Sequence, residues 1–292
     1  FPKPENGAEL AWNAYRRYQG PRDFLARPTY LLFSKSGKLE RSFINFFFKK
    51  FFTNRGDVPP VPEIPGNNGE ISVKIAMLIL EPFDVKGFSF IRTVYEDIYK
   101  NDDVFSYLPA LRRIRRLTGK DVCDPVLGSD SIYDDFENWQ GKIKPGMKFR
   151  ILGTKDFLTP AYITEPLHVV KGKSFQIDWE IRPLDLLEIQ MNDPEHVYLK
   201  RIFYMDNESR MGITYYADGY DMKGRLWRGG TCGNVQYIEP GHWIQNWVTG
   251  IYRDQLTGHS SVLDFDLVNS VLHEVRIPME WFTVRGLLKQ CR

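Results

Sequence analysis

The arrangement of apolar and polar positions divides the chain into a short helical start, a proline-rich break and a long β-patterned remainder. Between Asn6 and Tyr18 the residues Leu10, Ala11, Ala14, Tyr15 and Tyr18 recur at helical spacing. Asn6 offers a cap and Gly20-Pro21 ends the run, so an amphipathic helix is predicted within 6–20. Thr29 to Phe33 predicts a strand, with Ser36-Gly37 as its turn. Asp57 to Gly69 (DVPPVPEIPGNNG) is too rich in proline to pair, which predicts an exposed loop at 57–69, the most mobile internal segment.

From Ile71 onward the pattern is β, and the main antiparallel sheet is expected over 71–277. Ile71 to Leu80 and Gly87 to Glu96 read as hairpin partners, followed by Val104 to Leu108 and Leu111 to Leu117. Ser131 to Trp139 reads as a short helix capped by Ser129 or Asp130. Further strands are predicted at Lys148 to Lys155, Gln176 to Met191, Val197 to Met205, Met211 to Tyr220, Arg225 to Trp227, Val235 to Ile238, Ile244 to Tyr252 and Leu263 to Phe265. The connections between them, such as Asp206-Asn207, Lys223-Gly224 and Thr257-Gly258, are too short for crossover helices, so the strands are antiparallel. A helical tail is expected over 278–292. Val197 to Met205 alternates, with Val197, Leu199, Phe203 and Met205 on the apolar side. Ile71 to Leu80 is apolar on both faces, which requires cover on both sides.

Composition sharpens this picture in one respect. Phe, Tyr and Trp make up 14% of the 292 residues, which favours sheet and provides material for an apolar pocket. Charge is nearly balanced, 39 basic against 37 acidic residues, which argues against a nucleic-acid partner. No apolar run is long enough for a membrane-spanning helix; the greasiest stretch, Phe43 to Phe52, is short and carries Lys49 and Lys50. Cys123, Cys232 and Cys291 have no metal or redox spacing. The chain begins FPKPEN without an initiator Met, so a leader has been removed or an N-terminal part of a longer protein is missing.

Catalytic signatures are missing from the sequence. Gly172-Lys173-Ser174 lacks the upstream glycine of a phosphate loop and the spacing of a nucleophile elbow. The histidines 168, 196, 242, 259 and 273 show no metal-binding spacing. Arg228-Gly229-Gly230-Thr231-Cys232-Gly233 reads as a turn, because a dinucleotide site requires a following helix. No catalytic residue, metal or cofactor is therefore expected, and the chain is not expected to be an enzyme.

One constellation stands out between Leu108 and Trp139. Arg112, Arg113, Arg115 and Arg116 fall within seven residues, and Asp134 and Asp135 follow. Either the arginines pair with Asp130, Asp134, Asp135 or Glu137 and lock the short helix over the sheet, or Arg113 and Arg116 stand at a cavity rim to meet an anionic head group.

The run Tyr107-Leu-Pro-Ala-x-Arg-Arg-x-Arg-Arg, Gly128-Ser129-Asp130 and Tyr133-Asp134-Asp135-Phe136 resembles the LolA/LolB-like lipoprotein-carrier superfamily. Within it, the chain is similar to domain-of-unknown-function family 1329. The resemblance extends over Asn6-Gly7, Trp12-Asn13, Arg17-Tyr18-x-Gly20, then Tyr198-x-Lys200-Arg201-x-Phe203-Tyr204-x-Asp206, and Tyr220-Asp221-x-x-Gly224-x-Leu226-Trp227-Arg228. It implies a single mostly-β domain over 1–292: a strongly curved antiparallel sheet, an incomplete barrel, with a few helices as lid or plug. It also implies the bacterial periplasm, possible outer-membrane association, and a hydrophobic or lipid-like ligand. An outer-membrane β protein or a lipid-type efflux pump is the implied class of partner. Met77, Ile79, Trp139, Trp179, Phe203, Tyr215, Trp227 and Trp247 are the candidates for an apolar cavity lining. A non-catalytic docking subunit of an envelope complex, using loop 57–69 and exposed Phe46 to Phe48, is the alternative reading. An enzyme on lipids or polymers would need a nucleophile brought beside His242, His259 or His273 by the fold.

Overall fold

The computed structural model describes residues 1, 3–16, 23–56, 59–117, 123–138, 143–162, 178–208, 213–239, 242–265 and 277–290. Of these, 136–138, 161–162, 178, 232–239, 242–249 and 265 are described by their backbone alone. The chain opens with helix α1 (Gly7–Arg16), then strands β1 (Asp23–Ala26), β2 (Pro28–Phe33), β3 (Leu39–Phe51), β4 (Ile71–Glu81), β5 (Ser89–Tyr95), β6 (Asp103–Leu108) and β7 (Arg113–Leu117). A 3-10 turn at Tyr133–Asn138 leads to β8 (Lys148–Tyr162), β9 (Asp178–Gln190), β10 (Lys200–Asp206) and β11 (Thr214–Tyr220). β12 (Leu226–Glu239), β13 (His242–Asp254) and β14 (Ser260–Phe265) follow, and the C-terminal segment forms a 3-10 turn at Met279–Phe282 and helix α2 (Val284–Lys289).

The contacts gather these elements into two compact units. Unit 1 takes residues 1–19, 32–40 and 122–264; unit 2 takes 20–31, 41–121 and 265–292. The fold is mostly β and every strand pairing with a described register is antiparallel, as the short connections require.

In unit 2 the strand order is β7-β6-β5-β4-β3, with β1 also on β3. β4 confirms the expectation of burial on both faces: Ile75, Met77 and Ile79 on one side and Ala76 and Leu78 on the other are all buried. The second face packs with Phe48 and Ile91 against Ile277, Phe282 and Leu287 of the C-terminal segment. Phe48 meets Phe282 edge-on at 5.1 Å and Trp281 at 5.5 Å. Phe46 to Phe48 are therefore not the exposed aromatics expected of a docking surface: Phe47 and Phe48 are buried, and Phe46 packs on Trp281. The alternation of β3 accounts for this, since both of its faces are covered.

Loop 59–69 is largely exposed but tied at its base. Arg55 donates to the Pro60 carbonyl and to Asp23, which also receives Lys50, and Asn67 bonds the backbone of Ile71 through both its amide atoms.

In unit 1 the order is β14-β13-β12-β11-β10-β9-β8. β8 and β12 stand four places apart yet come into contact, so this sheet is strongly curved. α1 lies on it, with Leu10, Ala11 and Ala14 packed among Leu187, Ile189, Phe203 and Met205. The Asn6 side chain caps the helix by accepting from Glu9 N–H at 3.0 Å. Gly7 is required there: a Cβ would stand 2.7 Å from the Phe149–Arg150 backbone.

Two expectations for this unit are corrected. Arg228 to Gly233 is not a turn but the middle of the continuous strand β12, where its glycines leave room for neighbouring side chains. β10 begins at Lys200, not Val197; the preceding residues turn, so Tyr198 is fully buried and Leu199 is 43% exposed, the reverse of simple alternation.

Candidate functional site

The site lies on one face of unit 1, across β10, β11, β12 and β13. Two rows of cross-strand neighbours define it: Arg201–Gly219–Arg228–Asp254 and Phe203–Ala217–Gly230–Tyr252. The central members of the second row, Ala217 and Gly230, have small or absent side chains, and in the first row Gly219 admits the Tyr198 ring. The result is a cleft of about 20 Å³ lined by Asp135, Tyr198, Arg201, Arg228, Tyr252 and the β11–β12 glycines. That is room for a group about the size of a water molecule.

The 3-10 turn at Tyr133–Asn138 bears Asp134 and Asp135, and the sheet face receives them through Arg201. Arg201 is buried and reaches Asp135 Oδ1 at 2.6 Å and Asp134 Oδ2 at 3.3 Å. The second oxygen of Asp135 accepts from Tyr198 Oη at 3.0 Å and from Ile132 N–H at 2.9 Å. Tyr252 donates to the Asp135 carbonyl at 3.1 Å. His196 Nδ1 accepts from Tyr198 N–H at 3.1 Å, which leaves the proton on Nε2, 3.4 Å from Asp134. Burial raises the Tyr198 pKa, as does the Asp135 charge, so the phenol is a neutral donor at any physiological pH.

Arg228 differs from Arg201. It is 9% exposed, stacks on the Trp227 ring at 4.1 Å, and donates through Nη1 to Tyr198 Oη at a long 3.4 Å. Its Nε has no acceptor, and no described carboxylate lies within ion-pair distance of it. A β-bulge lets Arg228 and Trp227 lie together: Gly219 faces Arg228 while Tyr220 faces Leu226, leaving Trp227 as the extra residue.

The candidates named from the sequence are scattered. Asp134 and Asp135 pair with Arg201 rather than with the arginine cluster, and Asp130 bonds His259 Nδ1 at 2.7 Å and Ser261 Oγ at 2.6 Å. Arg113 and Arg116 are exposed on β7, where Arg116 pairs with Asp103 of the adjacent strand. The pairing expected from proximity in sequence is corrected: β10 brings Arg201 to Asp134 and Asp135 on one face of unit 1. Met77 and Ile79 are buried in unit 2. Phe203 and Trp227 are packed in the core under α1, and Tyr215 joins Leu184 and Ile213 in a second cluster. Trp179 is half exposed on β9. Trp139 lies outside the described residues, and of Trp247 only the backbone, in β13, is described.

Of the residues that line the cleft, Tyr198, Arg201, Arg228 and Tyr252 are not among the candidates named from the sequence. A signal for Arg201 existed: it takes a position of the apolar side of its strand, between Leu199 and Phe203. Cys123 is buried, and burial raises its thiol pKa, so it is no activated nucleophile. Among the described residues no group of three or more His, Cys, Asp or Glu forms a metal site, and no helix is long and apolar enough to cross a membrane.

Residues 1–271 match the family described as a protein of unknown function, DUF1329. The uncharacterized protein PA3922 of Pseudomonas aeruginosa is 23% identical over 254 residues, 82% of this chain and 53% of that protein. The chain thus spans about half the length of that relative. Among solved structures, a candidate outer membrane lipoprotein-sorting protein domain from Vibrio parahaemolyticus superposes with a TM-score of 0.68 at 20% identity, covering 97% of this chain and 98% of that one. A DUF1329 protein from Desulfovibrio piger gives 0.66 at 17% identity, covering 96% and 95%. The LolA superfamily protein NE2245 from Nitrosomonas europaea gives 0.58 at 14%, covering 96% and 98%.

Proposed function

The chain belongs to the DUF1329 family, and from that premise we propose that it is a periplasmic, non-catalytic carrier or receptor for a hydrophobic, lipid-like ligand, serving transport to or from the outer membrane. The observation that carries the reading is the second apolar face of β4 in unit 2. Phe47, Met77 and Phe90 are direct cross-strand neighbours there, flanked by Ile75 and Ile79, and all five are buried. The opposite face already packs on the C-terminal segment, so this one is not needed to anchor that segment. These side chains are at most 6% exposed, so an acyl chain reaches the face only by displacing what covers it; each methylene then buried gains about 0.8 kcal/mol, which gives affinity without any reactive group. The LolA-like fold and its likeness to a lipoprotein-sorting domain support the same reading.

The test is native mass spectrometry of gently purified protein, then solvent extraction and identification of what is released. A stoichiometric lipid-like adduct is expected. An unliganded mass, with no uptake of added fatty acids or sterols, overturns the carrier reading.

A second reading, docking to an outer-membrane β protein or a lipid-type efflux pump, is favoured by β7. It ends the strand order in unit 2 and exposes Ile114 at 58% beside Arg113 and Arg116, with Leu111 at 64% in the preceding turn. Retention of a partner by the wild type and its loss in Ile114→Glu, with the fold intact, would support it.

A further inference from the structure

We propose that the end of unit 2 formed by the β4–β5 and β6–β7 turns docks on an anionic lipid bilayer, with Phe83 and Leu111 entering the interface and Lys86, Arg112 and Arg113 meeting lipid phosphates. The inference rests on neither reading above, since it uses no buried face and no partner protein.

The two turns share one end because β4, β5, β6 and β7 follow one another as antiparallel neighbours. They also meet there: a Cβ on Gly87 would stand 3.4 Å from the Pro109 ring. Phe83 is 92% exposed and Leu111 64% exposed. A phenylalanine so exposed adds almost nothing to the core, and the turn that carries it is closed on itself. Val85 N–H bonds the Pro82 carbonyl, Lys86 N–H the Phe83 carbonyl and Gly87 N–H the Ile79 carbonyl. Arg112 takes a φ of 50°, where glycine is the unstrained residue, so its side chain is kept at a backbone cost.

The chemistry of the tips selects the occupant. Lys86, Arg112 and Arg113 are exposed, and among the described residues none of them has a carboxylate within ion-pair distance. Of the acids at this end, Asp84 is taken by Arg41, which leaves Glu81 against three cations. The end is therefore positive, and a second copy of the chain would meet it with the same charge. Single apolar side chains on projecting tips also lack the packed, pocketed centre of a protein interface. They fit a fluid interface instead, where an apolar tip enters the acyl boundary without a complementary surface. Each Lys or Arg near the phosphates adds attraction, and holding a protein on a bilayer takes both signals together.

The test is co-sedimentation of the full chain with protein-free vesicles of phosphatidylcholine, with and without phosphatidylglycerol. Binding is expected to be at least about tenfold tighter with phosphatidylglycerol and to weaken as salt is raised. Phe83→Ser should weaken it about tenfold, and so should Arg112→Gly combined with Arg113→Gln. All three residues are exposed, so far-UV circular dichroism should show the fold intact. The charge-matched control, Lys35→Gln with Lys38→Gln on the exposed β2–β3 turn of unit 1, should bind as the wild type does. No binding to either vesicle overturns the inference and, because the vesicles hold no protein, leaves protein docking at β7 standing. Binding unchanged in both variants overturns it in favour of lipid capture by the apolar face of the carrier reading. An equal loss in the control overturns it in favour of diffuse attraction by the whole surface.

Discussion

Gly219 lies directly beneath the ring of Tyr198, so close that a Cβ on the glycine would stand 2.7 Å from Tyr198 Cε1. The glycine does not have a positive φ; the close approach, not backbone freedom, requires it. Tyr198 is fully buried and is the link between Arg228 and Asp135, so its ring cannot swing aside without breaking those bonds. Gly219→Ala is expected to cost about 1–3 kcal/mol, the usual range for overpacking. Urea unfolding measures it, and Tyr198→Leu in the same background should recover part of the loss. A glycine-to-alanine change without cost would show that the contact is loose.

Arg201 holds two carboxylates in a buried setting. Removing it as Arg201→Met strands both and is expected to destabilise by about 3–5 kcal/mol. The double variant Arg201→Met with Asp135→Asn should lose less than the sum of the single changes, because one stranded charge is removed. Strict additivity in denaturant unfolding would contradict the pairing.

Two carboxylates should give stability curves of opposite slope with pH. Glu188 is pushed up by burial, but Lys200 at 2.7 Å and Arg150 at 3.0 Å outweigh this and depress its pKa. Its folded pKa lies below the unfolded value of about 4.3, so its contribution is present above that pH and is lost as pH falls through the folded value. Asp218 is raised by burial, only partly offset by the Tyr204 hydroxyl. The folded state then holds that proton more tightly, so stability falls as pH rises from about 4 through the folded value. Glu188→Gln should therefore lower Tm at pH 7 and not at pH 3, whereas Asp218→Asn should raise Tm at pH 7 and not at pH 3.

The C-terminal segment is held to unit 2 by aromatic packing, with Phe282 against Phe48 at 5.1 Å. Phe282→Ala should cost about 3–5 kcal/mol and speed proteolysis within 284–289. Cleavage no faster than in the wild type would mean that Leu287 and Ile277 suffice.

Much of the architecture was legible before the fold was known. β4, β5, β6 and α1 fall where periodicity and punctuation place them, because each carries a local pattern that its neighbours reinforce. β3 was hidden by its run of phenylalanines, in which both faces are apolar and alternation vanishes. β12 was hidden by glycines that look like a turn yet stand in mid-strand, where a Cβ on Gly229 would crowd Gln255. The cleft was legible only as fragments. Asp134-Asp135, Tyr198 with Arg201, and Trp227-Arg228 each lie in a stretch that resembles the family, but sequence spacing gave no reason to join them.

The sequence by itself determined the class of the fold and the family. Short turns forbid parallel crossovers, aromatic and β-branched residues favour pleated surfaces, and both are local properties of the chain. Only the tertiary structure decided which charges meet. The Asp134-Asp135 pair is 18 residues from Arg116 and some 66 from Arg201, yet Arg201 is the partner. Antiparallel registers bring Arg201, Gly219 and Arg228 into one row, and a bulge turns Trp227 beneath the last of them. Register and curvature are collective outcomes of the whole sheet's burial, so no stretch of sequence contains them alone.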